Sequence, residues 1–385
     1  MSSTHNILIA PNAFKHGIDA TGAANAIRTG LQNSALDCTC TVFPIGDGGD
    51  GTCELIVQKL GGRQVTVPVH DALGRPIDAS YGLIDDGNTA VIEMADASGL
   101  RLIKKSELNP LIASSYGAGE LIKAALDQGV KKIIFGIGGS ATVDGGTGIL
   151  EALGIRFLDS NHQPLTGLPE ALSQLTAIDL SDLDPRVHSC EIVVLCDVDN
   201  LLLGSAGAAA VFGPQKGATE QDLPILEAAL TRFAQTAFQL TGIDMTQLIH
   251  GGAAGGVSSG MHTFLGAQLV SGIDYFLQIT GFEEALQNAD IVITGEGSID
   301  EQTLQGKGPY GVAHRAKAHG LPVIGLAGKI PLEKNTALGK YFDVLLSVGN
   351  EPAALERALQ TTTQNLTRTA EAIGNLLALS YEQNR

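Results

Sequence analysis

Hydrophobic and polar positions change period along the chain, and at both chain ends they predict alternating strands and helices. Residues 6–10 and 40–43 are short apolar runs typical of strands, whereas residues 21–33 and 51–60 place apolar side chains at helical spacing. The end of the chain repeats this order. Its predicted elements are strands at residues 290–294, 322–327 and 343–347, a helix at 310–318 and a long C-terminal helix.

The middle of the chain has a different texture. Residues 64–69, 79–83 and 90–93 are spaced like the strands of hairpins, with Gly, Asp and Pro turns between them. We therefore expect a two-domain α/β protein. Residues 1–62 and 280–385 would form a doubly wound, Rossmann- or flavodoxin-like parallel sheet from both chain ends, and residues 63–279 an inserted α/β domain.

Composition narrows the classes of function. The chain has 385 residues, 44% of them hydrophobic, and a formal charge of −17, which argues against a nucleic-acid partner or a membrane surface. Its five cysteines contain no CxxC pair and fit a reducing cytoplasm. The first apolar run is expected to be a strand and not a signal peptide, and no apolar run is long enough to span a bilayer. A homo-oligomer is compatible with this composition.

The first glycine cluster, residues 46–52, follows a predicted strand and opens a predicted helix. Gly48 and Gly49 would expose backbone N–H groups to an anion at the helix N-terminus. The carboxylates of Asp47 and Asp50 would suit a phosphate that carries Mg²⁺. The alternative is a turn in which an aspartate caps the helix.

The second cluster, residues 136–146, contains a variant of the dinucleotide fingerprint. Gly136, Gly138 and Ala141 match GxGxxA, and Asp159 lies near the distance expected for an acid that binds a ribose. A nicotinamide-dependent dehydrogenase is therefore an alternative. Against it, Asp144 would place a negative charge beside the pyrophosphate, where the helix should begin.

The third region follows a predicted strand at residues 192–195. Asp197 is placed to accept a hydroxyl proton or to hold a metal, or else to cap a turn. Lys216, next to Gln215, could reach an anionic ligand, and a solvated surface lysine is the alternative.

The fourth cluster, residues 294–303, lies past another strand and is followed by Lys307. Glu296, Asp300, Gln302 and Lys307 together offer metal ligands, a hydrogen-bonding amide and a phosphate counter-charge, which phosphoryl transfer requires. The segment does not match the P-loop motif of nucleotide-binding proteins.

Read together and in order, these clusters resemble the type-1 glycerate kinase family along nearly the whole chain. The matching stretches are APNAFK at residues 10–15, DGGDGT at 47–52, GGSATVDGG at 138–146, CDVDN at 196–200, FGPQKGA at 212–218 and TGEGSIDEQT at 294–303. The family usually has Asp-Ser where this chain has Asn12 and Ala13, and often Asn where it has Val143. At Asn12 a neutral amide thus replaces a carboxylate.

The resemblance implies a kinase that uses ATP and Mg²⁺ to phosphorylate glycerate. Our mechanistic hypothesis places ATP and glycerate in line between the two domains. Asp197 would accept the hydroxyl proton, and Lys15 and Lys216 would neutralise the substrate carboxylate or the phosphoryl group. The expected metal ligands are Asp47, Glu296 and Asp300. The other residues expected to bind substrate or nucleotide are Gly48, Gly49, Gly138, Gly139, Ser140, Asp144, Gln215, Gly295, Gln302 and Lys307. A dehydrogenase of a small hydroxy acid and a non-catalytic sensor of acidic metabolites are the alternatives.

Overall fold

A computed structural model of the protein describes residues 4–333 and 335–382. Contacts divide the chain into two compact units: residues up to 47 and from 273 onwards form the outer unit, and residues 48–272 form the inserted unit. The domain boundaries expected from the sequence, near residues 63 and 280, stay a prediction. Among the described residues, no helix combines the length and the apolar character that a membrane crossing needs.

The strands, in chain order, are β1 (His5–Ile9), β2 (Cys38–Val42), β3 (Arg63–His70), β4 (Pro76–Ile84), β5 (Thr89–Glu93), β6 (Lys132–Gly136), β7 (Arg156–Leu158), β8 (Ala177–Asp179), β9 (Glu191–Cys196), β10 (Gln268–Ser271), β11 (Ile291–Ser298), β12 (Val323–Lys329) and β13 (Val344–Ser347). The α-helices are α1 (Ala20–Asn33), α2 (Thr52–Lys59), α3 (Ala95–Ser98), α4 (Tyr116–Asp127), α5 (Thr147–Ala152), α6 (Ala208–Phe212), α7 (Asp222–Thr241), α8 (Ala253–Leu265), α9 (Gly272–Ile279), α10 (Phe282–Leu286), α11 (Gly308–Ala318), α12 (Leu355–Gln360) and α13 (Thr362–Glu382).

The outer unit contains a five-stranded parallel sheet in the order β13-β12-β11-β1-β2. Ile7 of β1 pairs with Ile291 on one side and Cys40 on the other, so both chain ends build one sheet. With the insertion set aside, the order is 2-1-3-4-5, which is the flavodoxin-like order. Buried apolar side chains, Ile27 and Leu366 among them, pack α1 and α13 against this sheet. The predicted fold class is confirmed.

The inserted unit contains a six-stranded mixed sheet in the order β10-β9-β6-β5-β4-β3. Strands β3, β4 and β5 are antiparallel neighbours, as the hairpin spacing predicted, whereas β5, β6, β9 and β10 run parallel. Strand β7 directly precedes Asp159. It pairs with β8 in a separate antiparallel sheet and does not join β6. Parallel strands end at one edge of each sheet, and this edge carries the glycine-rich loops.

Candidate active site

In the outer unit, Asn12 follows β1 and links strand β11 to Asp47 in the loop after β2. Its backbone N–H donates to the Gly295 carbonyl at 2.8 Å, and its side-chain amide donates to Asp47 Oδ2 at 2.8 Å. Asn12 is buried. An amide can donate this bond at any pH, whereas an ionised aspartate at position 12 could not. The residue that departs from the family pattern thus orients a predicted metal ligand.

Glu296 lies within the second half of β11, which runs to Ser298 instead of ending at Thr294 as expected, because Glu296 and Ser298 still pair with β12. The hydroxyl of Thr303 donates to Glu296 Oε1 at 3.0 Å. Burial raises the pKa of Glu296 to about 7, and the charge of Asp47 acts in the same direction, whereas Lys307 and Lys15 oppose it. The structure therefore brings two predicted acids and two predicted lysines together.

For three other predicted residues of this unit, Gly295, Asp300 and Gln302, the structure shows contacts within the protein or exposure to solvent. Asp300 caps a short 3₁₀ turn, where it accepts the Gln302 N–H at 2.9 Å, and the Gln302 side chain is exposed. A side chain at Gly295 would overlap the Leu326 carbonyl on β12. Roles for these three residues in binding metal or ligand stay predictions.

In the inserted unit, the glycine-rich segments around residues 48 and 138 touch each other. The N–H of Gly138 donates to the Gly48 carbonyl at 3.0 Å. A Cβ at Gly138 would lie 2.5 Å from the Gly49 Cα, closer than real Cβ contacts allow. Gly48 and Gly139 adopt positive φ values of 95° and 69°, which residues other than glycine rarely adopt. These glycines let two backbone segments approach closely.

Lys216 is buried, with only 2% of its surface exposed, so the alternative of a solvated lysine is wrong. Its Nζ donates to Ser140 Oγ at 2.7 Å and to the Thr142 carbonyl at 2.7 Å. Burial lowers the pKa of Lys216 to about 7, although the charges of Asp144 and Asp197 favour the protonated form. Lys216 is therefore poised between its neutral and charged forms near neutral pH.

A cavity of about 80 Å³, which we call the Lys216 pocket, gathers six of the predicted residues. Its walls include Gly138, Gly139, Ser140, Asp197, Gln215 and Lys216. The half-buried Asp197 follows β9, and the other residues come from the loop after β6 and from a 3₁₀ turn after α6. This volume suits one carboxylate or phosphoryl group and is below the range of nucleotide-sized sites.

Asp144 is fully buried, and its carboxylate accepts hydrogen bonds from groups of the protein itself. Its Oδ2 accepts from the Ser115 hydroxyl at 2.6 Å, from the Ser115 N–H at 2.8 Å and from the Gly148 N–H at 3.3 Å. Its Oδ1 accepts from the Gly146 N–H at 3.0 Å. A dinucleotide would need those N–H groups for its pyrophosphate. A ligand-binding role for Asp144 stays a prediction.

Metal ligands are limited in number. Within residues 4–333 and 335–382, no three His, Cys, Asp or Glu side chains are grouped as a ready metal centre. Mg²⁺ commonly binds through one or two carboxylates, with waters and substrate phosphates completing its shell. Asp47 and Glu296 fit that pattern, because they lie close enough for the charge of one to raise the pKa of the other.

Comparison with known proteins agrees with this geometry. The sequence pattern described as "Glycerate kinase family" matches residues 7–378. The chain belongs to the glycerate kinase family. The glycerate kinase of Bacillus subtilis (strain 168) is 44% identical, covering 97% of this chain and 98% of the relative. The glycerate 2-kinase of Escherichia coli (strain K12) is 39% identical, covering 97% of this chain and 98% of the relative. A crystal structure of a glycerate kinase 2 from Salmonella typhimurium LT2 has a TM-score of 0.81 and 42% identity, and covers 99% of this chain and 100% of that one.

Membership of the glycerate kinase family confirms the resemblance and the prediction of a kinase. The dehydrogenase alternative finds no support in the structure. Strand β7, which precedes Asp159, does not lie in the sheet of β6, so Asp159 does not end a strand beside the fingerprint. Asp159 instead accepts the N–H groups of Asn161 and Gln163 in an exposed turn. A sensor without catalysis finds no support either.

Sequence reasoning missed two partners of the predicted residues. Thr303 holds Glu296, and Ser115 holds Asp144. Thr303 ends the TGEGSIDEQT stretch, but the motif alone does not show which side chain its hydroxyl contacts. Ser115 comes 29 residues before its partner, and no local pattern links them.

Proposed function

We propose that the protein transfers the terminal phosphoryl group of ATP to a hydroxyl group of glycerate, in the cytoplasm. One observation carries this proposal: the Lys216 pocket, in a chain of the glycerate kinase family, combines a buried lysine, an aspartate and close glycine loops. Its size fits the small, anionic acceptor. Kinase relatives named for glycerate match it along nearly their full length.

The residues of the inserted unit perform the acid–base and electrostatic parts of the reaction. The carboxylate of Asp197 accepts the proton of the attacking hydroxyl. The ammonium of Lys216 neutralises negative charge in the pocket, and an anion bound there favours its charged form. Gly138 and Gly139 contribute backbone and no side chain to the wall of the pocket, which leaves room for an anionic group.

The acids and lysines of the outer unit serve the phosphates. Asp47 and Glu296 would hold Mg²⁺, which supplies neutralisation of phosphate charge when bound. The amide of Asn12 fixes Asp47 for this role. Lys15 and Lys307 lie near enough to Glu296 for their charges to lower its pKa, and they supply further positive charge.

The test is a coupled assay of ADP release with Mg²⁺ and, separately, D-glycerate, L-glycerate and other small hydroxy acids. ADP release that depends on glycerate is expected, and phosphorus NMR of the product identifies the phosphorylated carbon. The Asp197→Asn variant is the control for contaminating kinases. No turnover with glycerate in well-folded protein, or turnover that Asp197→Asn leaves unchanged, would contradict the proposal.

A further inference from the structure

The inserted unit has a second cavity, of about 370 Å³, which we call the α2 cavity. It lies between α2 and the antiparallel strands, and none of the residues that wall the Lys216 pocket contributes to it. Apolar walls come from Val57 of α2, Val91 of β5 and Leu102. Its volume is within the usual range for small-molecule sites, and several times that of the Lys216 pocket.

Glu93, the last residue of β5, lines this cavity with only 6% of its surface exposed. Its Oε1 accepts the Cys53 N–H at 3.0 Å. Among the residues that the structure describes, Glu93 makes no other hydrogen bond, so its second oxygen is available to a ligand in the cavity. This oxygen lies at the wall of the cavity, where water or a ligand can bond to it.

The surroundings of Glu93 favour its neutral form. Burial raises its pKa to about 7, and the nearby Asp96 and Asp50 act in the same direction, while Arg101 opposes them. The buried thiol of Cys53 also faces it, with its own pKa raised well above the usual value. A neutral carboxyl group presents an O–H donor beside a carbonyl acceptor.

That pair of groups matches one edge of adenine, which presents the N7 acceptor next to the N6 amino donor. The apolar walls of the cavity suit the faces of a flat ring, and its exposed acids, Glu54 and Asp78, can accept hydrogen bonds from ribose hydroxyls. The same acids disfavour phosphate inside the cavity. The lining therefore suits a nucleoside better than an anion.

The position of the cavity agrees with this occupant. Gly51, at the end of the glycine-rich loop of residues 46–52, lines the α2 cavity, and Gly48 of the same loop bonds to Gly138 of the Lys216 pocket. A nucleoside in the α2 cavity would direct its phosphates along this loop. Arg101, which also lines the cavity and pairs with Asp50 and Asp96, can meet them.

We propose that the α2 cavity binds the adenine nucleoside end of ATP, with the carboxyl group of Glu93 hydrogen-bonded to the edge of the base. This inference rests on the proposed function only in taking ATP as the phosphoryl donor. It makes Glu93 a determinant of nucleotide binding that has no part in the chemistry at the Lys216 pocket.

The first test measures adenosine binding by calorimetry between pH 6 and pH 9. Adenosine has no phosphate, so the titration of Lys216 does not enter the result. If only neutral Glu93 binds the base, the dissociation constant should rise roughly 50-fold between pH 7 and pH 9. Glu93→Gln should bind at pH 6 and lose the pH dependence, because an amide keeps a donor and an acceptor at every pH. Glu191→Gln, at an exposed position, is the control.

A Glu93→Gln protein that keeps the pH dependence of the wild type would overturn the inference. A second variant keeps the inference testable if Glu93→Gln does not fold. The chain contains no tryptophan, so Leu102→Trp places a single fluorophore at the wall of the cavity. Its emission should change with adenosine and with ADP but not with glycerate. ADP binding seen by calorimetry without any change in emission would also overturn it.

The two proposals can fail separately. Glycerate-dependent ADP release combined with adenosine binding that ignores Glu93 would refute only the nucleoside site. Adenosine binding with the expected pH profile, but no turnover with glycerate, would refute only the proposed function.

Discussion

Buried Lys216 should make the protein more stable as the pH rises above neutrality. Its pKa in the folded protein is about 7, whereas a lysine in an unfolded chain has a pKa of about 10.4. Between these values the unfolded chain binds a proton that the folded protein does not bind, so the free energy of unfolding rises with pH. The slope approaches about 1.4 kcal/mol per pH unit, which gives about 2 kcal/mol between pH 7 and pH 9.

The perturbation that isolates this effect is Lys216→Met, which is unbranched, shorter by only the terminal amine and unable to titrate. Urea unfolding of both proteins at pH 7 and pH 9 gives the difference in unfolding free energy at each pH. Subtracting the variant's unfolding free energy from that of the wild type cancels the contributions of the other titrating groups. This difference should increase by about 2 kcal/mol between pH 7 and pH 9. Lys131→Met removes an exposed lysine and controls for the loss of a charge.

An equal difference at pH 7 and pH 9 would refute the reasoning, because it would mean that Lys216 binds its proton equally in the folded and unfolded states. A difference that shrinks with pH would give the opposite sign and show that the folded protein holds the ammonium form.

Three other substitutions test the site. Asp197→Asn should lower kcat by roughly 10²- to 10⁴-fold with an unchanged circular dichroism spectrum, and near-wild-type turnover would remove its role as base. Ser115→Ala withdraws a hydroxyl from buried Asp144 and should lower the unfolding free energy by about 1–3 kcal/mol, whereas unchanged thermal unfolding would mean that the bond contributes little. Gly138→Ala forces its Cβ against Gly49 and should reduce turnover, so full activity would show that the loops can separate without consequence.

The fold was largely predictable because its signals are local and repeated. Apolar runs followed by glycine loops predicted parallel strands, and the hairpin spacing between residues 64 and 93 predicted β3, β4 and β5. The dinucleotide fingerprint misled at one point. Gly136, Gly138 and Ala141 match its spacing, but only the tertiary structure shows that β7 lies outside the sheet of β6.

The site was predictable in its residue types and less so in its environments. The sequence indicated Lys216 and Asp197 as candidate catalytic residues, and both line the Lys216 pocket. It could not show that Lys216 is buried, because burial depends on Ser140 and Thr142, more than seventy residues away. Glu93 ends an apolar strand, and the sequence does not indicate the cavity that it lines, because distant segments create that cavity.

The pairing of β1 with β11 also affects how the protein is made. Hydrogen-bonded neighbours such as Asn6 and Asp290 are 284 residues apart. At roughly 5–20 residues per second of synthesis, β1 waits on the order of 15–60 s before β11 exists. During that time β1 and β2 form at most a two-stranded ribbon with an open edge, while the six strands of the inserted sheet can already pair with one another. Strand β1 is thus synthesised long before β11, the strand that covers its second edge.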